Sequence, residues 1–183
     1  MIDLSAGTLL ISDPFLKDPN FLRTVVLLCE NQYEGSFGFV LNKLHDQNIS
    51  ELMEDLDGID FPVYYGGPVQ TNTLHFLHRR PELIDGGILV TDNVYWGGDF
   101  ETVIELLKQN LLKQNDIRFY IGYSGWGQGQ LEDELKTKSW ITSQGTCKLI
   151  FHRYADMIWK DALKNLGGEY AQMINYPIDP QLN

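Results

Sequence analysis

The segment Gly122-Tyr123-Ser124-Gly125-Trp126-Gly127-Gln128-Gly129 sets one serine and two aromatic residues among four glycines. Several kinds of chemistry suit such a run. A serine on a sharp strand-to-helix turn makes a nucleophile elbow, but G-x-S-x-G needs a second small residue where Trp126 stands. Backbone N–H groups spaced as Gly125-x-Gly127-x-Gly129 can cradle a phosphate at a helix start. Here the lysine of a P-loop is missing, and Glu132, Asp133 and Glu134 would repel the anion. Two readings need no reaction. In one, the glycines form a tight structural turn and Trp126 packs on the core. In the other, Tyr123 and Trp126 are rigid anchors for a partner.

Other residues carry weaker signals. Arg23, beside a strand expected to be buried, calls for a carboxylate such as Glu30 or Glu132, or else serves as an anion hook. His75-x-x-His78 has metal-ligand spacing only on a helix, and its surroundings read as a strand, where residues three apart face opposite ways. No metal or cofactor is therefore expected. Asn42 and Gly66-Gly67-Pro68 suit turns, yet Asn42, Gly67 and the Trp126 loop could converge on one pocket. Asp99 and Glu132 become acid–base candidates only if they meet there.

These residues must be placed by elements that the sequence outlines. Strands are predicted at Thr8–Ile11, Arg23–Cys29, Phe37–Leu41, Val63–Tyr65, Leu74–Leu77, Ile88–Val90, Ile117–Tyr123 and Leu149–Phe151. Asn48-Ile49-Ser50-Glu51 is a capping box that opens a short helix with Ile49, Leu52, Met53 and Leu56 on its apolar face. Asp99 caps a longer helix with Phe100, Val103, Ile104, Leu107 and Leu111 inward. A helix around Leu131 and Leu135 and a last helix from about Ala155 to Leu166, ended by Gly167, complete the set. Strands in hairpin order with irregularly inserted helices indicate an α+β fold.

The chain of 183 residues suits one domain, taken as 1–176 with a surface tail at 177–183. Twenty-five acidic residues against 14 basic ones give a net charge of −11, which repels phosphate backbones and disfavours direct nucleic-acid binding. The two cysteines, Cys29 and Cys147, lie far apart and do not describe a disulfide framework. No signal-peptide pattern or long apolar run is present, so a cytoplasmic protein without a membrane span is expected.

Several motifs occur together in order. They are Leu9-Leu10-Ile11, Pro14, Asp18-Pro19-x-Phe21-x-Arg23 running into Thr24–Glu30, Gly35-x-x-Gly38, Leu41-Asn42-Lys43 and Gly66-Gly67-Pro68. Gly122–Trp126, Gly129-Gln130-Leu131-Glu132, Trp140 and Trp159-x-x-Ala162 follow. On these the chain resembles the YqgE/AlgH family from about Gly7 to Gly167. The resemblance implies a compact single α+β domain of irregular, coiled mixed and antiparallel sheet with flanking helices. It implies no established activity; members are often labelled transcriptional regulators, and no DNA-binding motif maps onto this chain. Leu44 replaces the family's usual proline, and Ser124 stands where members often have alanine. The reading that follows is a regulatory or scaffold protein binding a protein partner or small ligand near Trp126. A hydrolase using Ser124, or the Asn42, Asp99 and Glu132 groups, is the alternative.

Overall fold

Thr8–Ser12 (β1) and Val25–Gln32 (β2) send alternate side chains into two apolar layers, so neither strand keeps a polar face along its buried length. Leu9, Ile11, Val25, Leu27 and Cys29 enter one core, while Leu10, Val26 and Leu28 enter another on the opposite side. A computed structural model describes residues 4–178. Of the expected tail, 179–183 lie outside the described residues, and Ile178 is exposed.

From β2 the chain turns at Tyr33-Glu34 into Gly35–Val40 (β3). Leu44–Asn48 (β4), Pro62–Tyr65 (β5), Val69–His78 (β6), Ile88–Thr91 (β7), Val94–Trp96 (β8), Ile117–Gly127 (β9) and Trp140–Gln144 (β10) complete a ten-stranded sheet. Its main path runs β10-β1-β2-β3-β9-β6-β8-β7, with β5 attached to β9 and β4 to β5. Every pairing is antiparallel except that of β5 with β9. The fold is α+β, a curled sheet with helices against it.

The organising strand is β9. Its first half lies beside β5, its second half beside β3, and β6 runs along the other edge. The change of partner falls at Gly122, whose φ is +67°. There the Gly66-Gly67 backbone crosses close by, with Gly66 N donating to Ile121 O at 2.8 Å and Val40 N donating to Gly66 O at 2.8 Å.

The helices follow local signals where those are strong. Asn48 and Glu51 form the predicted capping box on Ile49–Leu52 (α1), and Asp99 caps Phe100–Lys108 (α2). The first helix is shorter than its apolar spacing predicts, because a separate 3-10 turn carries Leu56 into the core. In the second, Val103 and Leu107 are buried, but Leu111 is exposed and Leu112 takes the inner place. The chain has left the helix by then, with Asn110 at φ +58°. Gln130–Lys136 (α3) is helical as predicted. The strand predicted at Leu149–Phe151 is instead the short helix Cys147–Ile150 (α4), capped by the Thr146 hydroxyl accepting from Leu149 N. Ile158–Leu166 (α5) buries Ile158, Trp159, Ala162 and Leu163, ends at Gly167 and leads into Gly168–Gln172 (α6). Both cysteines are free thiols, and burial pushes the Cys29 thiol pKa strongly up.

His78, fully buried on β6, fixes its own protonation state. Its Nε2–H donates to Gly97 O at 3.0 Å and its Nδ1 accepts from Arg80 N at 3.2 Å, so a second proton would break the latter bond. Burial lowers its pKa, opposed by the Gly97 hydrogen bond and by Glu82. The unfolded chain titrates near the ordinary 6.5 and binds more protons than the folded protein below that pH. Stability present above pH 6.5 is therefore lost as the pH falls through that value towards the lowered folded pKa. His75, lowered by burial, acts in the same direction. Thermal unfolding between about pH 7.5 and about pH 5.5 should show a Tm fall that is smaller in His78→Gln. Equal falls in both proteins would remove His78 as the cause.

Candidate functional site

The glycine-rich segment is not the loop its composition predicts. Gly122 to Gly127 continue β9, paired with β3 in the register Gly35–Gly127, Ser36–Trp126, Phe37–Gly125 and Gly38–Ser124. Only Gln128 and Gly129 turn, Gly129 at φ +75° leading into α3. Ser124 is fully buried and its Oγ donates to Gly66 O at 3.0 Å. No histidine or carboxylate lies within hydrogen-bond reach of that hydroxyl among the described residues, so the elbow reading fails on geometry.

Strand alternation splits the segment between two faces. Ser124 and Trp126 point to one side, Tyr123, Gly125 and Gly127 to the other. Trp126 is only 5% exposed and packs on Phe21 and Trp140, with ring centroids 6.2 and 6.1 Å away. Its Nε1–H donates to Glu134 Oε2 at 2.9 Å, and the Nε1–H of Trp140 donates to the same oxygen at 2.8 Å. Trp126 is thus a core residue closing β9 onto α3 and β10, not a surface anchor.

Its neighbours on the other face form a groove. Glu30, Phe37 and Gly125 stand side by side across β2, β3 and β9, and Tyr123 stands opposite Val69 of β6. The register shift between Leu28 and Glu30, at Cys29, brings Glu30 onto this face. Phe37 meets Trp96 edge to face at 4.8 Å and Tyr123 at 6.0 Å, and His75 meets Tyr123 at 6.0 Å. These rings enclose an open, mostly apolar cavity of about 590 Å³, with Glu30 and Glu34 among its lining residues. Gly125 supplies the space, since a Cβ there would meet only Tyr123 at 3.4 Å and Val69 at 3.8 Å. The lowered pKa of His75 keeps its ring neutral at neutral pH.

Other predicted residues go elsewhere. Asn42 bridges β2 to the end of β3, accepting from Val25 N at 2.9 Å and donating to Arg23 O at 2.9 Å. Gly67 lies beneath the Tyr123–Ser124 peptide, where a Cβ would come within 2.2 Å of the Tyr123 carbonyl carbon. Neither lines the groove. Arg23 makes no ion pair with Glu30 or Glu132. Its backbone sits at φ +50°, its guanidinium lies 5.0 Å from the Trp159 ring centroid, and it donates to Tyr176 O. Glu132 is an exposed residue of α3, and Asp99 is occupied by Glu101 N and Thr102 Oγ1 of α2. No acid–base set assembles from these groups. Among the described residues no three His, Cys, Asp or Glu side chains form a metal cluster, and no helix is long and apolar enough to cross a membrane.

The groove residues Phe37, Val69 and Glu34 are absent from the sequence-derived candidates. Phe37 and Tyr123 sit next to conspicuous glycines, but nothing local signals that β8 brings Trp96 to them.

Comparison with known proteins agrees with this architecture. A UPF0301 protein of Chlorobium luteolum is 43% identical over 180 residues, covering 98% of this chain and 95% of its own. A UPF0301 protein of Cytophaga hutchinsonii is 40% identical over 181 residues, covering 98% and 100%. The solution structure of the AlgH protein from Pseudomonas aeruginosa superposes with a TM-score of 0.75 at 24% identity, covering 97% of this chain and 96% of that one. A crystal structure from Corynebacterium diphtheriae gives 0.81 at 16% identity, covering 95% and 93%. With the AlgH-like family model matching residues 9–171, the chain belongs to the AlgH-like, UPF0301 family.

Proposed function

We propose that this chain is a regulatory or scaffold protein that binds a basic segment of a protein partner, seating one arginine or lysine side chain in the aromatic groove. The observation that carries the reading is the set of mutually tilted rings of Phe37, Trp96 and Tyr123 beside the carboxylates of Glu30 and Glu34. Ring faces attract a cation by about 0.5–2 kcal/mol each, and a carboxylate at the mouth adds direction and on-rate. Neutral His75 does not oppose the charge. The volume falls in the range of ligand sites. A net charge of −11 favours a basic partner and disfavours nucleic acid. The free thiols fit a cytoplasmic setting.

The test is a titration of isotope-labelled protein with a short acetylated and amidated peptide carrying one arginine, against its citrulline counterpart. Shape is kept and charge removed. Arginine should bind at least about tenfold more tightly, with the largest perturbations at Phe37, Trp96 and Tyr123. Gly125→Val fills the groove without backbone strain and should abolish binding, while Glu30→Gln should weaken it by about three- to tenfold. Equal binding of the citrulline peptide, or perturbations remote from the groove, would overturn the assignment. Tighter binding of a free organic cation than of any peptide would replace the protein partner with a small ligand.

A further inference from the structure

The sequence shows no gathering of cations, but the fold makes one. Arg118 on β9 is 6% exposed. Its guanidinium donates to Ile150 O at 3.1 Å and to His152 O, and it lies 5.3 Å from the Tyr64 ring centroid and 5.6 Å from that of Phe151. Among the described residues it has no carboxylate within ion-pair distance. Carbonyl dipoles and ring faces soften a buried charge without neutralising it. Arg79 lies 5.8 Å from the same Phe151 ring centroid. Exposed Arg153 stands close by, its guanidinium 5.5 Å from the centroid of the Tyr154 ring.

Arg118 and Arg153 line a polar cavity of about 390 Å³ together with Tyr64, Gln114 and Asn115, and no acidic residue lines it. That is unexpected in a chain with 25 acidic residues among 183. Neighbouring Asp116 is turned away, accepting from Arg80 and from Lys113 N. The Asp161 carboxylate is engaged by His152 Nε2 at 2.9 Å. The Asn115 amide makes no hydrogen bond among the described residues, and Gln114 donates one to Asp60 O at 3.3 Å. The cavity thus offers two guanidinium groups and two side-chain amides in a partly enclosed space.

We propose that this cavity is a binding site for a small oxyanion, a phosphate or carboxylate group, held between Arg118 and Arg153 with the Asn115 and Gln114 amides as further donors. Arg118 supplies a buried, fixed charge and Arg153 closes the mouth. The site is independent of the aromatic groove, since the two cavities share no lining residue.

The test titrates the full chain with inorganic phosphate at constant ionic strength, balanced with chloride, and follows backbone amide resonances. Saturable binding is expected, with the largest changes at Asn115, Arg118 and Arg153. Arg153→Gln alters an exposed side chain and should weaken binding at least about fivefold. Arg118→Lys keeps the charge and removes the planar fork, and should weaken it further. Parallel arms with adenosine monophosphate and with citrate separate the sources. Tighter nucleotide binding identifies a phosphorylated small molecule, equal binding identifies the free ion, and tighter citrate binding identifies a carboxylate. All three support an oxyanion site. A linear, unsaturated response for every anion, or phosphate affinity unchanged in Arg153→Gln, overturns it.

Discussion

Trp126→Ala is expected to cost about 3–5 kcal/mol of folding stability. The indole is 5% exposed and fills the space between β9, α3 and β10. Removing it leaves a cavity against Phe21 and Trp140 and strips the buried edge of the Glu134 carboxylate of one of its two indole donors. Urea unfolding should show the midpoint falling with an unchanged m-value. Trp126→Phe keeps most of the volume and should lose about 1–2 kcal/mol, chiefly the hydrogen bond. A loss below about 1 kcal/mol in the alanine variant would mean that the three elements close without the indole. Partner capture lost in Trp126→Ala would therefore not separate a lost groove from a weakened frame, whereas Gly125→Val tests the groove on an intact frame.

Gly67→Ala is expected to cost about 3 kcal/mol or more. A methyl group there would lie 2.2 Å from the Tyr123 carbonyl carbon and 2.4 Å from Ser124 N, at a φ of +154° that residues with a Cβ rarely adopt. The struck atoms are backbone, and β9 cannot retreat because β3, β5 and β6 hold it on both edges. For a chain of this size the Tm should fall by roughly 6–12 °C. Gly58→Ala is the control, with φ +77° and nothing within 4 Å of its added Cβ. It should cost about 1 kcal/mol, the conformational part alone. Similar losses in the two variants would show that the crossing yields.

The parts of this architecture legible in the sequence are those fixed by neighbours along the chain. The Asn48–Glu51 capping box, the Asp99 cap and the two-sided burial of β2 all follow from short-range chemistry or period. What escapes is set by distant segments. Glycine disfavours strands, so the stretch after Tyr123 reads as a turn; here the glycines are needed where Gly67 crosses β9 and where β3 lies alongside. Leu149–Phe151 is too short an apolar run to reveal its period, and the Thr146 cap decides for helix. Arg23 turns away from both candidate carboxylates because its left-handed backbone carries the side chain to Trp159. Of the predicted site residues, Tyr123, Gly125 and Trp126 border the groove, although the indole of Trp126 is buried on the opposite face of the sheet. The gathering of cations escapes for the same reason, since Arg79 and Arg118 at the Phe151 ring and Arg153 beside Arg118 are scattered along the chain.

The allocation of the four tryptophans makes the molecule its own optical reporter. Trp126 and Trp140 donate to one Glu134 oxygen and Trp159 donates to Ser12 O, so three indoles emit from fixed, solvent-shielded surroundings. Trp96 alone stands half-buried in the groove wall, against Phe37. Occupation of the groove changes the polarity and quenching around that single fluorophore. The other three supply a constant background, and a Trp96→Phe protein supplies the blank.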